Sequence, residues 1–389
     1  MRGMILAAGS GTRMEPLTRR LAKPALPVLG VPLVVRAARL LRSAGITSAV
    51  VNLHHRGESI REALARAVAD PRPGSLHGMS FRWSHEPVLL GTAGGVGKVR
   101  EWLAAEGTTV VVNSDFVSDL DLGAAVAAHK ASGALGTLVV VPPSGPFPGE
   151  LHADTAGHIT GFGKGGPGGG EPVGLFEFTG CHILEPELLG RFPETVSDSV
   201  RDVYPWALER GALRAHVHPG FWWEFGSLDR FLNGQLSLIP SGRFCEEGSI
   251  VETNDGGRAW LAPGADLSPR AIVRGVAVVG GAARVQAGAI LENSVVLDEA
   301  VIPPSARVRR CLVGPRAVLT GGFQAEGLAI APLPLSPPPA SATAPETPFA
   351  RPPAPPGCRI DGEWLVREIQ APAPIPARAG TAAPGTAAR

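Results

Sequence analysis

Aliphatic residues recur with a period of six between residues 265 and 297. An α-helix repeats every 3.6 residues and a β-strand every two, so neither produces this spacing. A hexapeptide parallel β-helix does, because each hexapeptide supplies one short strand and one corner with its aliphatic side chain inside. The repeated positions are Leu267, Val273, Val279, Val285, Leu291 and Leu297, preceded at two residues by Ala265, Ala271, Ala277, Ala283, Ala289 and Val295. We predict a short left-handed hexapeptide-repeat β-helix over residues 259–325, broken at Pro303 and Pro304 and resuming near Leu312 and Val318.

The segment 1–240 has the pattern of a single α/β domain. Short β-branched runs alternate with helical patterns, which is typical of a Rossmann-like, mostly parallel sheet covered on both faces. The predicted strands are Met4–Ala8, Ser48–Leu53, Thr108–Asn113 and Gly136–Val141, and a helix is predicted over Val31–Ser43. Because ligands bind beyond the carboxyl ends of such strands, we expect a site at the loops after Ala8, Leu53 and Asn113.

Two further segments show neither pattern. Residues 241–258 are assigned to a connector. Residues 331–389 contain 15 Pro and 14 Ala, which predicts a mostly disordered tail over 326–389. Such a tail buries little surface, so deletion of residues 331–389 is expected to leave Tm and turnover nearly unchanged. Within it, the run Cys358–Gln370 alternates well enough to form a strand or a docking segment.

Composition argues against several classes of protein. The chain has 389 residues and a formal net charge of +1, which provides no global field to hold it on nucleic acid or on an anionic membrane. No apolar run approaches the roughly 18 residues of a membrane span. The four cysteines form no CxxC pair, which argues against a zinc knuckle or a disulfide scaffold. We expect a cytoplasmic protein with reduced thiols.

A glycine-rich turn follows the first predicted strand, with the sequence Gly9-Ser10-Gly11-Thr12-Arg13-Met14. A dinucleotide fingerprint requires a third glycine where Met14 stands, and no GxxxxGK[ST] phosphate loop is present. The turn still exposes backbone N–H groups next to two cations, Arg13 and Lys23, and this combination suits a polyphosphate. Only four lysines occur in the chain, at positions 23, 98, 130 and 164, so a lysine here is expected to serve for its compact ammonium group.

Five segments resemble the sugar-1-phosphate nucleotidyltransferases. The run Leu6–Val28, LAAGSGTRMEPLTRRLAKPALPV, resembles the family signature AAGxGTRL, PLT and KPxxP. Glu86 with the LGTAGG run of 90–95 is similar to the base-binding segment, and Asn113-Ser114-Asp115 to the first metal motif, with Ser for Gly. Residues 161–164 resemble an F-x-E-K segment without its Glu, and residues 223–227 a W-x-D-x-G-[ST] motif with Glu for Asp.

The resemblance implies an enzyme that joins a sugar 1-phosphate to a nucleoside triphosphate and releases pyrophosphate. It implies Mg²⁺ as cofactor, held by Asp115 and Glu224. The implied catalytic residues are Arg13, Lys23 and Lys164, and the implied sugar-binding residues are Gly149, Lys164 and Thr179. The implied nucleotide-binding residues are Ala8, Gly9, Ser10, Gly11, Thr12, Glu86, Gly91 and Thr92.

Several alternatives remain open from the sequence. The motifs look closest to mannose-1-phosphate guanylyltransferase-like proteins, and a glucose-1-phosphate thymidylyl- or uridylyltransferase is the runner-up. A regulatory NDP-sugar-binding protein without catalytic activity is the alternative of another class, because the motifs carry three departures. An acyltransferase in the β-helix is disfavoured, since no His or Lys lies there to act as general base. The β-helix is then interpreted as structural, for homo-oligomerisation or as a lid on a neighbour.

Overall fold

The structure, a computed structural model, describes residues 1–72, 74–143, 149–163, 174–333 and 354–370. Among these residues a nine-stranded main sheet forms the core of the first domain. Seven of its strands follow one another in the spatial order Ile159–Phe162, Leu151–Ala153, Gly174–Leu184, Thr109–Asn113, Arg2–Leu6, Ser48–Leu53 and Ser80–His85. The other two branch from this order: Gly136–Val141 pairs with Gly174–Leu184, and Leu213–Val217 pairs with Gly136–Val141.

The centre of the main sheet is parallel, as the sequence predicts. Strand Arg2–Leu6 runs parallel to Ser48–Leu53 on one side and to Thr109–Asn113 on the other. The sheet as a whole is mixed, because Gly174–Leu184 is antiparallel to each of its neighbours. Antiparallel strands need no helical crossover between them, so this part of the sheet lies outside the strand–helix alternation on which the prediction of a mostly parallel sheet rests.

Helices lie between and after these strands along the chain. They are Leu33–Ser43, Gly57–Ala69, Gly91–Gly97, Arg100–Ala104, Leu122–Ser132, Pro186–Leu189, Tyr204–Leu208 and Leu228–Ser241, with shorter helical turns at Thr12–Met14, Leu17–Arg19, Lys23–Ala25 and Ser199–Val203. The predicted helix from Val31 begins at Leu33 instead, since Val31–Pro32 pairs with Pro27–Val28 in a small ribbon. The helix buries one face through residues that include Leu33, Val34, Ala37 and Leu41.

Residues 249–332 form stacked coils whose strands are parallel from Arg258 onward, with Ser249–Glu252 added antiparallel at the start. Val273 pairs with Leu291, three hexapeptides further along the chain, and Val279 pairs with Val296, one position short of that separation. One coil therefore takes up about three of the repeats. The strands of these coils are Ser249–Glu252, Arg258–Leu261, Asp266–Leu267, Ile272–Val279, Arg284–Val285, Ile290–Val296, Val301–Ile302, Arg307–Arg309, Leu312–Val313, Gln324–Glu326 and Leu328–Pro332. Since its first strand begins at Ser249, the predicted connector 241–258 already contains part of this domain.

The predicted hexapeptide register is wrong by one position at residues 295–297. Val296 packs inside the coils with Val279 and Val313, whereas Val295 and Leu297 pack on the outside against helix Leu228–Ser241. A shift of one position in a strand moves every side chain to the opposite face. The later register is also displaced, because Val318 is 57% exposed.

The C-terminal segment contradicts the predicted boundary of a disordered tail at residue 326. Strand Leu328–Pro332 belongs to the larger sheet of the coils, which we call the coil sheet. Strand Trp364–Glu368 pairs antiparallel with Leu328–Pro332, and Arg359–Asp361 pairs antiparallel with Trp364–Glu368 at the edge of the sheet. We call Arg359–Glu368 the C-terminal hairpin. The edge strand of the coil sheet offers backbone N–H and C=O groups to a further strand. Because the hairpin pairs with these groups, its apolar residues can be buried against the sheet. Residues 334–353 and 371–389, the rest of the predicted tail, lie outside the described residues.

Candidate active site

The carboxyl ends of the central parallel strands open into a cleft of about 230 Å³. This is the place that the sequence predicts, at the loops after the first strand, after Leu53 and after Asn113. The residues that line the cleft are Leu6, Ala7, Ala8, Gly9, Lys23, Pro24, Asn52, Glu86, Leu89, Gly91, Thr92, Asn113, Ser114 and Asp115. Segments that are distant in sequence therefore meet at one edge of the sheet.

The glycine loop leads from the cleft to the surface. Ala8 and Gly9 line the cleft, and Ser10 and Thr12 are exposed. Gly11 has a φ of 69°, and a Cβ on it would lie 3.2 Å from Cγ2 of Thr18. Thr18 Oγ1 donates a hydrogen bond of 3.0 Å to the Gly11 carbonyl. The backbone at Gly11 is therefore left-handed, a conformation that favours glycine, and the hydrogen bond from Thr18 in the following turn holds it.

Lys23 and Asp115 form an ion pair at the cleft wall. The distance from Lys23 Nζ to Asp115 Oδ2 is 2.7 Å, and both side chains are largely buried. Lys23 begins a short helical turn, whereas Asp115 follows the buried strand that ends at Asn113. A charge-assisted bond of this length holds both side chains in place at the carboxyl end of the sheet.

Glu224 lies beside Asp115. A two-stranded ribbon pairs Trp222–Glu224 with Phe116–Ser118, and the Phe225 amide donates to the Asp115 carbonyl over 2.7 Å. Burial raises the pKa of Glu224, and the negative charge of Asp115 raises it further. Lys23, Arg230 and Arg13 oppose this rise in the pKa. The second predicted acid and the exposed Arg13 are therefore close enough to share one electrostatic environment.

Arg230 is a contact of Glu224 that the sequence analysis missed. Its Nε donates to the Glu224 carbonyl at 2.8 Å and lies 3.1 Å from the Glu224 carboxylate, while the guanidinium group lies over the ring of Trp223. Gly226 leaves room for this carboxylate, because a Cβ there would lie 1.8 Å from Glu224 Oε1. Arg230 follows on the helix after Glu224, at a spacing that carries no recognisable motif.

Asn52 is the second residue that the sequence analysis missed. Its Oδ1 accepts from the Ala7 amide at 2.6 Å, and its Nδ2 donates to Glu86 Oε1 at 2.8 Å. Glu86 Oε2 accepts from the Leu90 amide at 3.1 Å, and Glu86 is only 1% exposed. The only signal for Asn52 was one polar residue inside the apolar strand SAVVNL. Glu86 thus supports the cleft wall, and each of its carboxylate oxygens already accepts one hydrogen bond from the protein.

The glycine-rich helix Gly91–Gly97 packs closely on the segment 193–197. A Cβ on Gly91 would lie 2.4 Å from the Ser197 carbonyl oxygen, and one on Gly97 would lie 2.0 Å from that of Pro193. The hydroxyl of Thr92 accepts from the Ser199 amide and donates to Asp198. Gly91 and Thr92 therefore reach the cleft, but the hydroxyl of Thr92 holds the neighbouring turn.

The predicted sugar-binding residues are not among those that line the cleft. Thr179 is buried, and its hydroxyl donates to the Val139 carbonyl over 2.7 Å. Gly149 lies so close to the backbone of Phe176 that a Cβ would be 2.3 Å from its oxygen. Lys164, predicted for both catalysis and sugar binding, lies outside the described residues.

No helix in the described part of the chain is long and apolar enough to cross a membrane.

The fold and the site together define an α/β domain with a cleft at the switch point of its sheet, bordered by a glycine loop and a cation–carboxylate cluster. Residues 2–161 match the family model described as Nucleotidyl transferase. This part of the chain is therefore similar to the domains of that family, and the resemblance found in the motifs is confirmed.

Named relatives are similar over a longer stretch. The UTP–glucose-1-phosphate uridylyltransferase of Synechocystis sp. is 32% identical over 57% of this chain and 59% of its own length. The mannose-1-phosphate guanyltransferase of Schizosaccharomyces pombe is 28% identical over 62% of this chain and 65% of its own length. The mannose-1-phosphate guanylyltransferase of Mycobacterium tuberculosis is 27% identical over 70% of this chain and 73% of its own length. The matched region thus spans about three fifths of the length of the first two relatives.

The crystal structure of HddC from Yersinia pseudotuberculosis has a similar fold. It superimposes with a TM-score of 0.50 and 18% identity, over 61% of this chain and 99% of that chain. The covered 61% of this chain is close to the share of the chain that its first domain occupies.

Proposed function

We propose that this chain is a sugar-1-phosphate nucleotidyltransferase, which converts a nucleoside triphosphate and a sugar 1-phosphate into an NDP-sugar and pyrophosphate. The observation that carries the proposal is the Lys23–Asp115 pair at the wall of the cleft, with Glu224 beside it. The glycine loop, the family match over residues 2–161 and the names of the relatives support it.

The reaction is an in-line displacement at the α-phosphorus. An oxygen of the sugar phosphate forms a bond to this phosphorus, and the bond to the bridging oxygen breaks, so that pyrophosphate leaves with the electron pair. Such a transfer needs charge neutralisation and alignment more than covalent chemistry. Backbone amides of residues 8–12 would bind the triphosphate, with Lys23 as a compact charge and Arg13 as a forked donor. Lys164 is proposed to hold the sugar phosphate.

The donor set at the cleft fits Mg²⁺. Asp115 and Glu224 offer carboxylate oxygens, and this ion is commonly held by one or two carboxylates together with substrate phosphates. The described ranges contain no group of three or more His, Cys, Asp or Glu that could hold a metal, so the remaining ligands would come from the triphosphate and water. When bound, the ion would neutralise phosphate charge. Lys23 and Arg230 offset the repulsion between the two carboxylates.

Mannose 1-phosphate and GTP are the proposed substrates, since relatives named for this reaction match up to 70% of the chain. Uridylyl transfer to glucose 1-phosphate is the second candidate, because the Synechocystis relative has the higher identity of 32%. Gly149 and Thr179 are proposed to shape the sugar side through backbone packing.

The coils of residues 249–332 are proposed to be a left-handed hexapeptide β-helix that mediates homo-oligomerisation. We also propose a cytoplasmic location, with no nucleic-acid or membrane partner, in line with the net charge of +1.

A substrate panel tests the proposed function. Pyrophosphate release is measured for four nucleoside triphosphates against mannose and glucose 1-phosphates, with and without Mg²⁺. We expect Mg²⁺-dependent release with one preferred pair, GTP and mannose 1-phosphate. Preference for UTP and glucose 1-phosphate would select the second candidate. Binding of an NDP-sugar without any pyrophosphate release would instead identify a regulatory protein and overturn the enzymatic proposal.

A further inference from the structure

The C-terminal hairpin reaches the glycine loop. Nη1 of Arg367 donates a hydrogen bond of 3.0 Å to the carbonyl oxygen of Thr12, across 355 positions of sequence. Thr12 lies next to Arg13, for which we propose a contact with the triphosphate. A residue near the end of the chain therefore contacts the loop that borders the cleft.

The contact fixes one peptide plane of the loop. The Thr12 carbonyl also accepts the Glu15 amide at 3.3 Å, so Arg367 joins a turn that is already formed. In a trans peptide the C=O and N–H groups point in opposite directions. With the Thr12 carbonyl held by Arg367, the amide of Arg13 must point away from the hairpin.

The hairpin is itself firmly anchored. Leu365 and Val366 are 1% exposed, and the backbone of Arg367 pairs with Ala329 in the coil sheet. Ile369, just after the hairpin, packs in the same apolar cluster as Leu17 and Met14 from the residues that follow the glycine loop. Arg367 thus extends from a rigid sheet to the loop, instead of from a free chain end.

We propose that Arg367 is a positioning residue for the nucleoside triphosphate, and that the C-terminal hairpin is a brace for the glycine loop. The inference rests on the proposed function for its ligand, but the bracing itself is a property of the free protein. Arg367 orders the loop before the triphosphate binds, so that less conformational entropy is lost on binding.

The first test measures amide hydrogen exchange in the ligand-free, full-length protein. We compare the parent with Arg367→Ala and with the matched control Arg359→Ala, whose guanidinium lies on the same hairpin and pairs with Glu368 at the surface. Exchange at the Glu15 amide and in the loop 9–15 is expected to become faster in Arg367→Ala only. Equal exchange in the two variants would overturn the brace, whether or not the chain proves to be an enzyme.

The second test separates nucleotide binding from turnover. With the triphosphate preferred in the substrate panel, Arg367→Ala is expected to raise KM for the nucleotide about tenfold, the cost of ordering about one loop residue on binding, with kcat little changed. Arg367→Lys, which keeps a cationic donor, should recover part of the loss. A KM like that of Arg359→Ala would overturn the positioning role. If the parent turns over no triphosphate, the proposed function fails, and the exchange experiment alone decides the brace.

Discussion

Two neighbouring carboxylates, Asp115 in the cleft wall and Glu224 beside it, are balanced by cations that come from different parts of the chain. Lys23 contacts Asp115 at 2.7 Å, and Arg230 contacts Glu224 at 3.1 Å. Each pair is largely buried, so removal of one partner leaves a charge in a poorly solvated position. The effects of substitutions here are expected to appear in both binding and turnover.

Lys23→Ala should lower turnover by roughly 100-fold or more, because a positioned charge is lost where phosphate charge develops. Lys130→Ala is the matched control, since Lys130 is exposed on helix Leu122–Ser132. Lys98 is a poorer control, because it donates to the carbonyl of His85, next to Glu86. Steady-state kinetics check the prediction, and similar rates for the Lys23 and Lys130 variants would remove Lys23 from the proposed mechanism.

Glu224→Gln should shift the Mg²⁺ dependence of turnover to higher concentration and lower the maximal rate, because one anionic ligand is lost with little change in shape. Nucleotide binding at the glycine loop should persist. Glu62→Gln, in an exposed pair with Arg66, is the control. Overlapping Mg²⁺ titration curves for parent and Glu224→Gln would contradict a role for this carboxylate in metal binding.

His182 should make the protein less stable in acid. Burial lowers its pKa to about 3, whereas the unfolded chain has a value near 6.5. The unfolded state therefore binds more protons below pH 6.5, and stability is lost as the pH falls toward 3. Between pH 7 and pH 5 this group should cost about 2 kcal/mol. In urea unfolding, the free energy of unfolding of His182→Gln should fall less between pH 7 and pH 5 than that of the parent. An equal fall in both proteins would refute the lowered pKa of His182 as its cause.

At the scale of elements, glycines let backbones approach where a side chain would separate them. Helix Gly91–Gly97 lies against residues 193–197, and this contact forms one wall of the cleft through Gly91 and Thr92. A second element with a tight constraint is strand Ile290–Val296, which packs inward through Val296 and toward helix Leu228–Ser241 through Val295.

Gly97→Ala should lower the free energy of unfolding by about 1–3 kcal/mol, because the new methyl group would meet the backbone of Pro193, which must then move. Gly190→Ala is the control, since Gly190 has helical dihedral angles and a Cβ there would lie no closer than 3.4 Å to its neighbours. Denaturant unfolding at neutral pH measures both. A Gly97→Ala variant as stable as Gly190→Ala would show that the helix shifts freely.

At the scale of the whole molecule, the two domains share an apolar cluster. Helix Leu228–Ser241 from the first domain packs with Trp260 and Leu297 of the coils, and Met14 and Leu17 extend the cluster toward the glycine loop. The C-terminal hairpin closes this assembly through Ile369. The coils therefore support the loop from one side, while the main sheet supports it from the other.

Truncation after residue 353 should lower the free energy of unfolding by at least about 3 kcal/mol, because Trp364, Leu365, Val366 and Ile369 would no longer be buried. This expectation replaces the one drawn from the Pro and Ala content of the tail. Truncation after residue 370 keeps the hairpin and is the control. Thermal unfolding of both truncations checks the prediction, and an unchanged Tm after residue 353 would return the segment to the class of a loose tail.

The sequence by itself determined the class of the first domain and the edge of the sheet at which the cleft lies. Strands Ser48–Leu53 and Gly136–Val141 have the predicted bounds, and Ala8, Gly9, Lys23, Glu86 and Asp115 all line the predicted cleft. These features are local or follow from general topology: apolar runs form buried strands, and parallel strands present their carboxyl ends at one edge.

Only the tertiary structure decided which residues complete that cleft and what holds its loop. Whether Val296 or Leu297 faces the coil interior depends on pairing with strands of the neighbouring coils. A six-residue period predicts the inward residue correctly only as long as every coil has the same length, and here one coil is one residue shorter. The contacts of Asn52 with Glu86 and of Arg367 with Thr12 join residues that carry no pattern in common. A Pro- and Ala-rich composition describes the average of a segment, but a neighbouring sheet edge can order the few apolar residues within it, because their burial then outweighs the entropy lost on ordering.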